Sequence, residues 1–151
     1  MEKIKMIFNN MVLRIILGIV IGGAAGAFVS PDQIDIPLTV DALRNAGLPL
    51  GSGVITVFDE TRDLKSILLR QVHFLADESC EKCPACSMGT QRQYEIILRL
   101  VDGSLSSADV TALQDTSWTD PKASICGLGQ TAAVPILSAL KNWPELFTAA
   151  S

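Results

Sequence analysis

Three cysteines, Cys80, Cys83 and Cys86, follow one another at two-residue separations, and a fourth, Cys126, lies well downstream. Three thiolates at this spacing converge from one loop on a single centre, and a distant fourth closes the four-ligand shell that a Cys-ligated iron-sulfur cluster requires. A chain using all four must fold its second half back onto the triplet. Zinc asks for the same number of ligands. Its common pattern uses two C-x-x-C knuckles, whereas one triplet facing a lone cysteine favours the three-plus-one binding of a 4Fe-4S cluster. Disulfides are the remaining use, since four cysteines allow three pairings. Bridges spanning two residues, however, would be of the tight redox type rather than structural staples.

Composition narrows the class. A length of 151 residues suits one ordinary domain or two small ones, and a 48% hydrophobic share supplies a core. The net charge of -4 has the wrong sign for a phosphate-backbone partner, so no nucleic acid is expected. With a single histidine, His73, set in an amphipathic stretch, a His-based catalytic pair has nothing to build on. His73 reads as a surface or packing residue.

The N-terminus carries Lys3, Lys5 and Arg14, followed by the apolar run Ile15 to Val29. At 15 residues this run is short of the roughly 20 a spanning helix needs. Its Gly18, Gly22 and Gly26 fit either a small-xxx-small helix face in lipid or strand and turn backbone. From Ser30 to Gly53 prolines and glycines are dense, which predicts loops with one helical turn near Asp41 to Asn45. Val54-Ile55-Thr56-Val57-Phe58 then reads as a buried strand.

After Asp63, a helix N-cap, the residues Leu64, Ile67, Leu68, Val72 and Leu75 share one helical face. A second helix follows the cysteines with Tyr94, Ile97, Leu98 and Val101 as its stripe, and ends at Asp102-Gly103. Ser106 and Asp109 make a capping-box start for a third helix carrying Val110 and Leu113, and a fourth runs from about Gln130 to Asn142 with Pro135 kinking it or near its first turn. Trp118, Trp143 and Pro144 read as core and chain-end residues. Gly127 and Gly129, beside Cys126, would let backbone N–H groups approach the sulfurs.

The segment Glu78-Ser79-Cys80-Glu81-Lys82-Cys83-Pro84-Ala85-Cys86-Ser87-Met88-Gly89-Thr90 resembles the cluster loop of the flavoprotein, NADH-binding subunit of respiratory complex I, shared by NAD-linked hydrogenases and formate dehydrogenases. Ser124-Ile125-Cys126-Gly127-Leu128-Gly129, continuing to Ala132 and Pro135, is similar to the segment holding the family's fourth ligand. Upstream, Ile21-Gly22-Gly23, Gly51-Ser52-Gly53 and Asp59-Glu60 resemble further family segments, so the likeness covers about 21–147. There are departures: Glu81 stands where the family loop has glycine, Ser87 where it has arginine, and Pro84-Ala85 alters the proline position.

The resemblance implies an α+β fold: a partial β-grasp-like domain of soluble-ligand-binding type at 21–61, then a four-helix bundle at 62–151 holding a 4Fe-4S cluster. Residues 1–20 stay unassigned. It implies Cys80, Cys83, Cys86 and Cys126 as cluster ligands and no catalytic residue. The family's flavin and nicotinamide domain has no counterpart in these 151 residues, so FMN and NAD are expected on a partner chain. The expected function is an electron-transfer module within a larger NADH-linked, hydrogenase-type or formate-linked oxidoreductase, its partners being flavoprotein and iron-sulfur subunits. The expected place is cytoplasmic, in the peripheral arm of a membrane-associated complex, without direct membrane contact. A zinc-binding or metal-free docking subunit derived from the same family is the alternative, and a membrane-anchored form of the module a third.

Overall fold

The apolar run near the N-terminus is a pair of strands. In the computed structural model, which describes residues 16–29, 33–120 and 122–149, β1 (Ile16–Ile21) turns through a 3-10 segment at Gly23–Ala25 into β2 (Ala27–Val29). Lys3, Lys5, Arg14, Ile15 and the Ser30-Pro31 step lie outside the described residues. β1 and β2 pair antiparallel with Ile19 opposite Val29, and β3 (Ile55–Asp59) pairs antiparallel on the other side of β1 with Ile19 opposite Val57. The sheet order is β2-β1-β3.

Strands covered on both faces lose the polar alternation of a half-wet sheet. Val20 and Phe28 enter a large core with the helices, while Ile19, Ile21 and Val29 enter a smaller one with Leu43. That two-sided burial explains an unbroken apolar run without lipid. Among the described residues, no helix is long and apolar enough to cross a membrane. The outer edge of β2 is closed by side chains: the Phe28 N–H donates to Ser138 Oγ at 2.9 Å, and Asn142 Nδ2 donates to the Phe28 carbonyl at 2.8 Å. Trp143 meets the Phe28 ring edge-on at 5.8 Å.

The buried strand expected at 54–58 is corrected on both counts. It begins one residue later, and it lies at the sheet edge with Val54, Ile55 and Val57 exposed. β-branched composition reports fitness for a pleated surface, not which face is covered.

The punctuated stretch holds α1 (Val40–Asn45), capped by Thr39. α2 (Leu64–Asp77) starts where Asp63 accepts from the Lys65 and Ser66 N–H groups, and it buries Leu64, Ile67, Leu68, Val72 and Leu75, as the periodicity predicts. α3 (Pro84–Val101) packs along it, but on a different face from the expected one. Tyr94 and Leu98 are only half-buried and Val101 is exposed; the buried stripe is Cys86, Thr90, Gln93, Ile96, Ile97 and Leu100. Two polar residues within this stripe hide it from a reading based on apolar spacing alone.

α4 (Ser107–Leu113) has the predicted capping box, with Ser106 and Asp109 each bonding the other's backbone N–H. The expected single helix from Gln130 to Asn142 is two, α5 (Gly127–Thr131) and α6 (Val134–Asn142). Pro135 sits in the first turn of α6, where its missing N–H costs nothing. Short 3-10 turns lie at Ser117–Thr119 and Pro144–Phe147. Leu68, Val72, Ile97, Leu113 and Ile136 from α2, α3, α4 and α6 share the large core with the sheet's Val20 and Phe28.

Arg99 of α3 reaches the α4 cap with a two-pronged ion pair, Nη2 to Asp109 Oδ1 at 2.7 Å and Nε to Oδ2 at 3.2 Å. The Arg99 guanidinium, then the Ser106 N–H and hydroxyl, hold the Asp109 carboxyl far below its ordinary range. A carboxylate stabilised in the native state contributes stability that is complete above its unfolded pKa and is lost as pH falls toward the depressed native value. Asp109→Ala, which removes the N3 partner of the capping box, should therefore cost about 0.5–2 kcal/mol at neutral pH, the range of helix-capping interactions. Thermal melts of both proteins should show that gap narrowing between pH 5 and pH 2, a range that follows from the roughly 3.9 of an unfolded aspartate.

Candidate metal centre

The four cysteines come from three local settings. Cys80 lies in the loop after α2, Cys83 is the N-cap residue of α3, and Cys86 is in the first turn of that helix. The expectation that all three project from one loop is thus corrected for Cys86, since Pro84, suited to a helix start, begins α3 between the second and third cysteines. Residues three apart at a helix start share a face, and this brings Cys83 and Cys86 to the same side. Cys126 is the N-cap residue of α5. Neither N-cap cysteine spends its sulfur on capping.

All four line one cavity of ≈ 130 Å³, together with Glu78, Ser79, Glu81, Ser124, Leu128 and Gly129. Cys86 is buried, Cys83 half-buried, and Cys80 and Cys126 are exposed, so the cavity runs from the core to the surface. None of the four is paired in a disulfide. Among the described residues, no three Cys, His, Asp or Glu form a group that could hold one metal ion.

The loop reverses at Glu81, whose φ of 59° is left-handed. A side chain in that conformation costs about 1–2 kcal/mol relative to the right-handed region. Thr90, one turn after Cys86, donates its hydroxyl to the Cys86 carbonyl at 2.9 Å and fixes the first turn of α3. Ser79 Oγ lies 3.7 Å from Cys86 Sγ.

The wall holding Cys126 is positioned by contacts that sequence reasoning did not assign. Trp118, read as a core residue, instead lies on Gly89 of α3: a Cβ there would come within 2.3 Å of the indole. Its Nε1 donates to the Asp115 carbonyl at 3.1 Å, and its own carbonyl accepts from the fully buried Ser124 hydroxyl at 2.9 Å. Gln130 Nε2 then donates to the Ser124 carbonyl at 2.8 Å. Gly129 closes the contact, since a Cβ there would lie 2.6 Å from Ser124 and 3.1 Å from Cys86 Sγ. Of the two glycines beside Cys126, only Gly129 is needed for close approach; a Cβ on Gly127 would meet nothing within 4 Å. The Gly89-Thr90 pair and Ser124, which belong to the two cysteine-bearing motifs, are the available signals in the sequence.

His73 is exposed on α2, its ring 4.7 Å from that of Tyr94 and its Nε2 3.4 Å from Asp77 Oδ2. It packs on the surface away from the cysteines, as expected of a lone histidine.

No three of these sulfurs converge on one ion, so the set suits a multi-iron centre that spans the cavity and takes one sulfur per metal. Burial pushes the Cys86 thiol above its ordinary 9.0, the Ser79 hydrogen bond offsets part of this, and the sulfurs of Cys126, Cys83 and Cys80 push it up further. Four sulfurs sharing one cavity oppose each other's ionisation, and a bound cation removes that opposition.

Comparison with known proteins gives this geometry a family. Residues 66–150, which contain all four cysteines, match the model of the NADH-ubiquinone oxidoreductase-F iron-sulfur binding region. The chain is 32% identical over 128 residues to NADP-reducing hydrogenase subunit HndC of Solidesulfovibrio fructosivorans, covering 85% of this chain and 26% of that protein. It is 33% identical over 128 residues to the F subunit of NADH-quinone oxidoreductase from Mycobacterium tuberculosis, covering 85% of this chain and 29% of the relative. A crystal structure of NAD+-reducing [NiFe]-hydrogenase in the H2-reduced state superposes with a TM-score of 0.75 at 26% identity, over 92% of this chain and 24% of that one. The chain thus spans less than a third of the length of these relatives. Its fold is α+β, and it belongs to the family of the NADH-ubiquinone oxidoreductase-F iron-sulfur binding region.

Proposed function

We propose that this chain is an electron-relay module carrying one 4Fe-4S cluster within a larger NADH-linked oxidoreductase, with Cys80, Cys83, Cys86 and Cys126 as the ligands. The observation that carries this reading is the single cavity lined by cysteines from two separated segments, inside the region matched by an iron-sulfur family model. When bound, such a cluster supplies one-electron uptake and release.

The chain's own residues do the holding and shielding. Cys86 would bind from the buried side and Cys80 and Cys126 from the exposed side, while the Ser79 hydroxyl, 3.7 Å from the Cys86 sulfur, would donate to it once the sulfur is a bound thiolate. The first turn of the 18-residue α3 presents its unpaired N–H groups beside Cys83 and favours negative charge there. The exposed end of the cavity leaves one side of the centre near the surface, where a redox partner can approach.

In this reading 21–61 is a partial β-grasp-like part, and the helices of 62–151 form a four-helix arrangement of α2, α3, α4 and α6 around the core. FMN and NAD would be held by a partner chain, and the partners would be flavoprotein and iron-sulfur subunits of one redox complex, in the peripheral arm of a membrane-associated assembly or its cytoplasmic hydrogenase counterpart. The names of the hydrogenase and quinone-oxidoreductase relatives support such an assembly. The departures at Glu81 and Ser87 favour one other reading, a zinc-binding or metal-free docking subunit, which the same experiment separates.

Protein purified without oxygen should contain about four irons and four labile sulfides per chain, with visible absorption and an EPR signal on reduction. Stoichiometric zinc in a colourless protein would replace the relay reading with the docking one. Cys126→Ser should lose the cluster while keeping the helical circular dichroism, and wild-type iron content in that variant would remove Cys126 from the ligand set. A paired test probes the close approach: Gly129→Ala should cut iron content sharply, because its Cβ lands on Ser124 and the Cys86 sulfur, whereas Gly127→Ala should load like the wild type.

A further inference from the structure

Glu81 is the only non-glycine among the described residues with a left-handed backbone, φ 59°. Glycine is the ordinary occupant of that region, and the few others that visit it routinely have short polar side chains able to bond locally. Glutamate has no such excuse. Glu81 also lies between two of the cysteines and lines their cavity, as Glu78 does, whereas its cationic neighbour Lys82 does not. Glu78 stands in ordinary right-handed backbone at φ -82°, so its carboxylate comes without strain. At position 81 the loop keeps an unfavourable conformation that glycine would relieve, and what it keeps with it is a negatively charged side chain on an exposed residue of the cavity lining.

Adding an electron to a centre held by four thiolates adds negative charge to an already negative site. A carboxylate about a side chain's length away opposes that addition, by an amount that water and salt reduce at an exposed position. We infer that Glu81 is a potential-setting residue: the charge it carries beside Cys80 and Cys83 lowers the reduction potential of the centre held by Cys80, Cys83, Cys86 and Cys126. The inference rests on the cluster reading above and assigns Glu81 a role toward the group, not as a ligand.

The test is an EPR-monitored potentiometric titration of the full chain, loaded with iron and sulfide under anaerobic conditions, with dithionite as reductant and soluble mediators. The wild type, Glu81→Gln, Glu81→Gly and Glu81→Asp are compared at equal iron content. Glu81→Gln should make the one-electron reduction several-fold to tenfold more favourable, an upward shift of up to about 59 mV. Glu81→Gly should shift in the same direction and melt no lower than the wild type, and Glu81→Asp should stay near the wild-type potential. High salt should shrink the gap between wild type and Glu81→Gln, because this end of the cavity is open to screening ions. A fully loaded Glu81→Gln with an unchanged or lower potential overturns the inference and leaves the cluster reading standing. A shift in Glu81→Asp as large as in Glu81→Gln also overturns it, by assigning the effect to shape rather than charge. Where Glu81→Gln fails to load, the Glu81→Gly potential decides in its place. A wild type that takes up no iron overturns both readings.

Discussion

The site depends on how closely the segment after Trp118 approaches the first two turns of α3. Two glycines set that distance. Gly89 lets the Trp118 indole lie against α3, and Gly129 lets α5 lie against Ser124 and the Cys86 sulfur. Because a methyl group at either point would occupy space already filled, the approach is set by exclusion rather than by attraction. Hydrogen bonds hold what the packing permits: Ser124 ties to the Trp118 carbonyl and Gln130 ties back to Ser124. This contact stands beside the cavity that Cys126 shares with the other three cysteines.

The same helix links the site to the core. Cys86, Thr90, Gln93, Ile97 and Leu100 fall at alternating four- and three-residue steps along α3, so the stripe that begins at a candidate ligand ends in the hydrophobic centre of the molecule. Arg99 leaves the end of α3 on another side to hold the α4 cap. The position of Cys86 is therefore tied to burial of Ile97 and Leu100 on the same helix, which packs along α2. At its outer end the cavity has no such support, which is where the exposed cysteines and the strained Glu81 stand.

Much of this is legible in the residues. Asp63 and the Ser106–Asp109 pair mark helix starts through local bonding that needs no tertiary partner, and both caps form as read. The α2 stripe is wholly apolar, so its period is unambiguous. The α3 stripe lies one position away from its apolar reading because the buried polar residues Thr90 and Gln93 sit within it. Thr90 meets its cost by bonding the Cys86 carbonyl. Composition reveals the strand at β3 but not its exposure, since apolar content does not say whether a strand is central or at an edge.

Taken alone, the sequence supplied the candidate donor set, the two motifs that carry the family likeness, and the helices whose caps and periods are local. These are properties of neighbouring residues, fixed by short-range bonding and by side-chain period. The tertiary structure decided that Cys86 belongs to a helix, that the apolar run forms strands buried on both faces rather than a membrane helix, and that Trp118 serves the site rather than the core. It also decided which glycine beside Cys126 matters. Each of these turns on contacts between segments far apart in the chain, where the available space depends on the packing of both partners, and no local pattern encodes that.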